Sequence, residues 1–84
     1  MPDKENNENI KTLDNCKKGS VVKVLKLNAD RDLKQRLISF GIMKEAVIEV
    51  LEHAPAKSTI EVKVGKMRIA LRAQEAGLIE VQKL

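Results

Sequence analysis

Aromatic residues are almost missing from this chain, which contains neither Trp nor Tyr and has Phe40 as its one Phe. Domains that bind proline-rich peptides use aromatic-lined grooves, so this class of ligand is excluded. Side chains on which nucleic-acid bases could stack are equally scarce. No apolar run approaches the roughly 18 residues that a membrane-spanning helix needs, and we predict no membrane span.

Metal ligands and nucleophiles are also rare, because the chain has one histidine, His53, and one cysteine, Cys16, far apart in sequence. A transition-metal site usually needs several converging ligands. Glu49 and Glu52 precede His53, but a regular strand would direct them to opposite faces. We therefore predict no metal site, no cofactor and no catalytic residue, and ferrous iron binding no tighter than that of a weak surface site. His53 is expected at a loop edge and Cys16 as a small buried apolar side chain.

The charge is uneven along the chain. The net charge is +4, but the first nine residues carry −2, which leaves +6 for the remainder. Residues 1–9 lack apolar periodicity and are expected to be disordered, whereas residues 10–84 are expected to form one domain. The basic residues are spread rather than clustered, so we expect no direct contact with nucleic acid. A single cysteine and an acidic, Asn-rich N-terminal segment indicate a cytoplasmic protein.

Residues 31–50 change from helical spacing to strand spacing. The apolar face of the helical part has four members: Leu33, Leu37, Ile38 and Phe40. Either Asp30 or Asp32 can cap the start of this helix, and Gly41 can end it in the left-handed conformation. Apolar residues alternate from Ala46 onwards, which predicts a strand. We expect Phe40 to lie in the core.

The remaining segments predict short strands. A change of face between Val24 and Leu25 indicates a bulge in the first strand. Residues 59–72, TIEVKVGKMRIALR, read as a hairpin that turns at Gly65 and carries Met67 on its core face. AQEAG has room for one helical turn before the last strand, LIEVQKL. Five strands, a helix inserted after the first and a helical turn before the last predict a small mainly β barrel.

Two blocks carry a family resemblance: residues 36–55, RLISFGIMKEAVIEVLEHAP, and residues 64–81, VGKMRIALRAQEAGLIEV. They resemble the FeoA family, small accessory proteins of ferrous iron transport, over roughly Leu13 to Val81. The resemblance implies a five-stranded SH3-like barrel with an inserted helix, a module that also forms the C-terminal domain of some iron-dependent repressors. The family usually has Pro-Gly where this chain has Lys44 and Glu45, which puts a left-handed glycine turn there in doubt.

The resemblance implies a non-enzymatic adaptor whose partner is FeoB, a large membrane transporter with a cytosolic GTP-binding domain. Two alternatives stay open at this point. One is a transcription-related barrel module that regulates through another protein, and the other is a basic nucleic-acid-binding barrel. Adjacency to a transporter gene would separate the first alternative from the adaptor, and steep salt dependence of DNA or RNA binding would reveal the second.

The predicted functional feature is a surface rather than a catalytic centre. Candidate partner-binding residues follow the helix and lie in the next loop: Ile42, Met43, Lys44, Ala54 and Pro55. The strand between these two groups would hold them apart unless the curvature of the barrel brings them together. Met43 and Lys44 are the best single candidates, because exposed apolar and basic side chains commonly mediate recognition.

Overall fold

The computed structural model describes residues 10–84, and the prediction for residues 1–9 lies outside them. Within the described residues there are two helices, α1 (Arg31–Ser39) and α2 (Ala73–Ala76), with short 3-10 turns at Leu13–Asn15 and Pro55–Lys57. The strands are β1 (Ile10–Thr12), β2 (Val21–Leu27), β3 (Val47–His53), β4 (Thr59–Val64), β5 (Met67–Arg72) and β6 (Ile79–Lys83). Neither helix in this part of the chain is long and apolar enough to cross a bilayer.

The described strands form one antiparallel sheet in the order β1-β6-β2-β3-β4-β5. The mainly β class, the inserted helix and the helical turn before the last strand are confirmed. The strand count of five is wrong, because Ile10–Thr12 adds a sixth strand through pairing with β6. Three residues show no periodicity of their own, so only the partner strand reveals β1.

Two bulges bend the sheet. The register of β2 against β6 shifts between Val24 and Lys26, which confirms the predicted change of face. A second shift, which the sequence pattern does not show, falls between Val50 and Glu52 in β3. Bulges of this kind increase local twist and curvature, as a small barrel requires.

The bulge in β3 also corrects the expectation for its two glutamates. An extra residue between them restores the alternation, so Glu49 and Glu52 are both exposed rather than directed to opposite faces. The side chain of Glu52 is held by Lys18, whose Nζ lies 2.8 Å from Glu52 Oε1. Glu52 therefore forms a surface ion pair with Lys18.

The core lies inside the bent sheet and includes Leu37 of α1. Its fully buried larger side chains are Leu13, Val22, Val24, Leu37, Ile42, Ile48, Val50, Ile60, Val62, Leu71, Ile79 and Val81. Three expectations about the core need correction. Phe40 is only partly buried and packs against the core from its edge. Ile38 is 40% exposed, and Met67 is 50% exposed because it directly follows the β4–β5 turn at the rim of the sheet.

The predicted ends of α1 are confirmed. Asp30 is the N-cap, and its Oδ1 accepts a hydrogen bond from the Leu33 N–H at 2.9 Å. The helix ends at Ser39 with Phe40 as its C-cap, and the next residue, Gly41, adopts the left-handed conformation with φ +91°. The chain therefore turns back sharply at this point, which shapes the surface described next.

Candidate partner-binding groove

The C-terminal end of α1 closes with a hydrogen-bonded Schellman turn. The Gly41 N–H donates to Ile38 O at 2.9 Å, and the Ile42 N–H donates to Leu37 O at 2.9 Å. This turn folds Ile42 back over the helix end, where both Leu37 and Ile42 are fully buried. The interpretation of Ile42 as an exposed contact residue is therefore wrong, because its side chain covers the helix end instead.

The two residues after Ile42 face outward. Met43 is 42% exposed, Lys44 is exposed, and Glu45 follows with φ +77°. The Glu45 N–H donates to Val24 O at 2.8 Å, which attaches this turn to the middle of β2. The left-handed turn that was in doubt is therefore present, with Glu45 in the place of a glycine.

An open groove runs between the end of β2, the outer face of α1 and this turn. Its lining combines apolar and basic side chains, and we call it the basic groove: Leu25, Lys26, Leu27, Lys34, Ile38, Met43 and Lys44. The bulge after Val24 ends the regular alternation of β2, so three consecutive residues of that strand border the groove. Predicted contacts Met43 and Lys44 thus lie in one continuous surface.

The charge of the basic groove is of one sign. Three of its residues are lysines, and no carboxylate in residues 10–84 lines it. The ion pairs found within this part of the chain join Lys18 to Glu52, Lys23 to Glu45 and Arg36 to Glu75, and none includes a groove lysine. Lys26 lies opposite Glu80 in the β2–β6 register, yet the two side chains form no ion pair.

The other two predicted contacts, Ala54 and Pro55, lie elsewhere. They follow β3, whose seven residues lie between them and the Met43–Lys44 turn in the chain. Ala54 is partly buried, its N–H donates to Thr59 O at 2.9 Å, and Pro55 is exposed. Neither residue lines the basic groove.

Cys16 and His53 meet through the backbone rather than through a reactive pair. His53 Nε2 lies 2.7 Å from Cys16 O, and a carbonyl oxygen only accepts, so Nε2 carries the proton. The Cys16 Sγ contacts Thr12 O at 3.6 Å, and burial raises the pKa of the thiol. The expectation of a buried thiol is confirmed, and this arrangement holds the Cys16 loop against the end of β3.

Metal-ligating side chains do not converge in the part of the chain that the structure describes: no group of three or more His, Cys, Asp or Glu is placed to hold an ion. Because the Nε2 atom of His53 carries a proton and faces Cys16 O, this nitrogen cannot coordinate a metal ion. The candidate site in this part of the chain is therefore the basic groove.

Five groove residues are not predicted from the sequence: Leu25, Lys26, Leu27, Lys34 and Ile38. For Lys34 and Ile38, the helical spacing contains the signal that would place them together. Lys34 and Ile38 are four residues apart, so they are neighbours on one helix face, separate from the Leu33–Leu37 stripe. Ile38 is predicted on the apolar face because it is apolar. Its 40% exposure shows that apolar character alone does not identify the buried face.

Comparisons with known proteins place this geometry in a family context. Residues 11–83 match the family model of the FeoA domain. A Campylobacter jejuni protein named as an Fe(2+) transport protein A is 36% identical over 70 residues, which cover 83% of this chain and 95% of that protein. The solution structure of the FeoA protein from Chlorobium tepidum is 32% identical, covers 87% of this chain and 70% of that one, and superposes with a TM-score of 0.83.

A manganese-dependent transcriptional repressor shares the fold as well. It is 24% identical, with a TM-score of 0.81 over 89% of this chain and 42% of the repressor chain. At this level of identity the likeness concerns the fold alone.

Proposed function

The chain belongs to the FeoA domain family, and from that premise we propose that it is a non-enzymatic, cytoplasmic accessory protein of ferrous iron transport that acts by binding another protein. The partner proposed is the FeoB-type membrane transporter, through its cytosolic GTP-binding part. The observation that carries this function is the basic groove, where exposed apolar side chains lie next to lysines that have no ion-pair partner among residues 10–84.

The chemistry of the remaining polar residues supports binding rather than catalysis. Cys16 is buried with a raised pKa, so little thiolate forms near neutral pH. The Nε2 atom of His53 donates to the backbone carbonyl of Cys16, so this nitrogen does not act as a base for the thiol. Ile38 and Met43 are exposed apolar side chains suited to the centre of a protein interface, and the lysines around them are suited to its polar rim.

Direct binding to the transporter tests this function. The purified full chain is titrated with the cytosolic part of FeoB from the same organism, with and without GTP, and we expect a saturable one-to-one complex. A double variant, Met43→Asp with Lys44→Glu, should weaken it by about tenfold or more, since interface centres tolerate buried charge poorly. Its melting temperature should change little, because both side chains are exposed.

The chain itself offers a matched control. Lys66 and Met67 are another adjacent, exposed Lys and Met pair, located at the β4–β5 turn outside the basic groove. The double variant Lys66→Glu with Met67→Asp makes the same chemical change and should leave binding intact. Absence of binding by the unaltered chain, in both nucleotide states, would overturn the proposed partner.

A further inference from the structure

The basic groove has a definite chemical pattern. Lys34 and Ile38 are neighbours on the outer face of α1, and Met43 and Lys44 follow each other in the turn beyond the helix. Lys26 stands between two partly buried leucines of β2. Each of the three contributing elements thus brings at least one aliphatic or thioether side chain together with one ammonium group.

The three groove lysines make no ion pair within residues 10–84, although Glu80 lies opposite Lys26 in the β2–β6 register. Elsewhere in residues 10–84, Lys18, Lys23 and Arg36 each contact a glutamate. The groove lysines have no such partner, and no carboxylate in these residues lines the groove. Long lysine side chains pack their methylene stems on apolar neighbours and place the ammonium group at the rim. The result is an apolar floor with a positive rim.

An occupant that complements this surface must supply an apolar group to the floor and negative charges to the rim. On the premise of the proposed function, we propose that the basic groove binds an acidic segment of the partner protein in which carboxylates flank an exposed aliphatic side chain. The aliphatic side chain packs on Ile38 and Met43, and the carboxylates meet Lys26, Lys34 and Lys44. Met43, being unbranched and flexible, adapts the floor to the side chain that enters.

Nucleic acid fits this surface less well. A phosphodiester backbone would satisfy the lysines but would leave Ile38 and Met43, about two-fifths exposed each, against polar groups. Bases would need an aromatic platform, and Phe40 is partly buried against the core. A protein segment satisfies both parts of the groove at once.

Charge reversal of the lysines tests the pattern in the full chain. The probe is a synthetic peptide of about ten residues with two leucines flanked by glutamates, a length typical of a segment that fills one groove. Binding is followed by NMR through the methyl signals of Ile38 and Met43. We expect these signals to shift, the affinity to fall with rising salt, and Lys34→Glu or Lys44→Glu to lower it by about tenfold.

Control variants separate the contribution of the lysine charges from that of the apolar contact. Lys66→Glu makes the same change outside the groove and should leave peptide affinity unaltered. Ile38→Ser should weaken binding without altering its salt dependence, and a peptide with serine for leucine should bind the unaltered chain equally weakly. Affinity insensitive to both lysine reversals would overturn the assignment, as would preferential binding of single-stranded DNA at the same methyl groups. Concentration-dependent shifts of these methyl signals without peptide would also overturn it, because a second copy would then be the occupant.

The peptide experiment and the titration with the FeoB cytosolic part can fail independently of each other. Binding of the FeoB cytosolic part that survives Lys26→Glu, Lys34→Glu and Lys44→Glu combined would overturn the groove assignment and leave the proposed function in place. Groove-specific binding of the acidic peptide, with no binding of FeoB, would support the groove chemistry and overturn the proposed partner.

Discussion

At the end of α1, two pairs of adjacent residues, Leu37–Ile38 and Ile42–Met43, each have one buried and one exposed side chain. Leu37 and Ile42 are fully buried, whereas Ile38 and Met43, each the next residue in the chain, are 40% and 42% exposed. All four side chains are apolar and of similar size. Helical spacing directs Leu37 inward and Ile38 outward. The Schellman turn at Gly41 then places Ile42 over the helix end and leaves Met43 at the basic groove.

The comparison shows that stability and recognition are separable over a short stretch of chain. Substitutions at the buried members act on the free energy of unfolding, and substitutions at the exposed members act on binding. The predictions below test this division, starting with the largest expected effect.

Ile42→Ala should lower the free energy of unfolding by about 2 to 5 kcal/mol, because it removes a fully buried side chain from the helix end. Met43→Ala, one residue further, should cost less than about 1 kcal/mol. Urea denaturation of both variants measures the difference. Similar losses at the two positions would contradict the division between core and groove.

Phe40 lies between the two classes, since it is partly buried and packs against the core. Phe40→Ala should therefore cost about 1 to 3 kcal/mol, below the roughly 3 to 5 kcal/mol expected for a fully enclosed phenylalanine. The same denaturation measurement checks it, with Phe40→Leu as the variant that retains most of the apolar contact. If Phe40→Ala lowers the free energy of unfolding as much as expected for a fully enclosed ring, Phe40 is a core residue.

Gly41→Ala should cost about 1 to 2 kcal/mol, because an L-residue with a side chain is strained at φ +91°. Gly19→Ala is the matched control: Gly19 has φ +89°, but open space surrounds its position. At Gly41 an added Cβ would lie 3.4 Å from Val64 Cγ1, an ordinary van der Waals distance, so backbone strain sets the loss at both positions and we expect similar losses. Thermal unfolding compares the two variants, and a clearly larger loss at Gly41 would mean that crowding by Val64 adds to the strain.

Glu45→Gly should raise stability by up to about 1 kcal/mol, since glycine adopts positive φ without a Cβ clash. The variant also loses the contact of Glu45 Oε1 with Lys23 Nζ at 3.6 Å, which is exposed and contributes little. Glu45→Ala loses this contact but keeps the strain, so it isolates the backbone effect. Equal stability of the two variants would show that the turn at residue 45 is unstrained.

Much of the fold could be predicted from local pattern. The helix limits follow from Asp30 and Gly41, and the first bulge follows from the change of face after Val24. Strand β1 and the bulge in β3 could not be predicted, because both depend on which strand lies alongside. Pairing across the sheet has no signature in a three-residue segment.

The candidate site was predicted only in part, for a related reason. Met43 and Lys44 were identified by their position after the helix, but Lys26, Lys34 and Ile38 come from other elements. A groove between elements exists only after they pack, and a residue's own neighbours in sequence do not determine its neighbours in space.

The sequence by itself determined the mainly β class, the inserted helix with its two ends, and the scarcity of metal-binding and nucleophilic side chains, because local spacing and composition control all of these. The tertiary structure alone decided which strands pair and which elements border the basic groove. Strand β1 exists through its pairing with β6, and the groove joins residues of β2, α1 and the following turn, because a three-residue strand and a surface between elements both depend on packing.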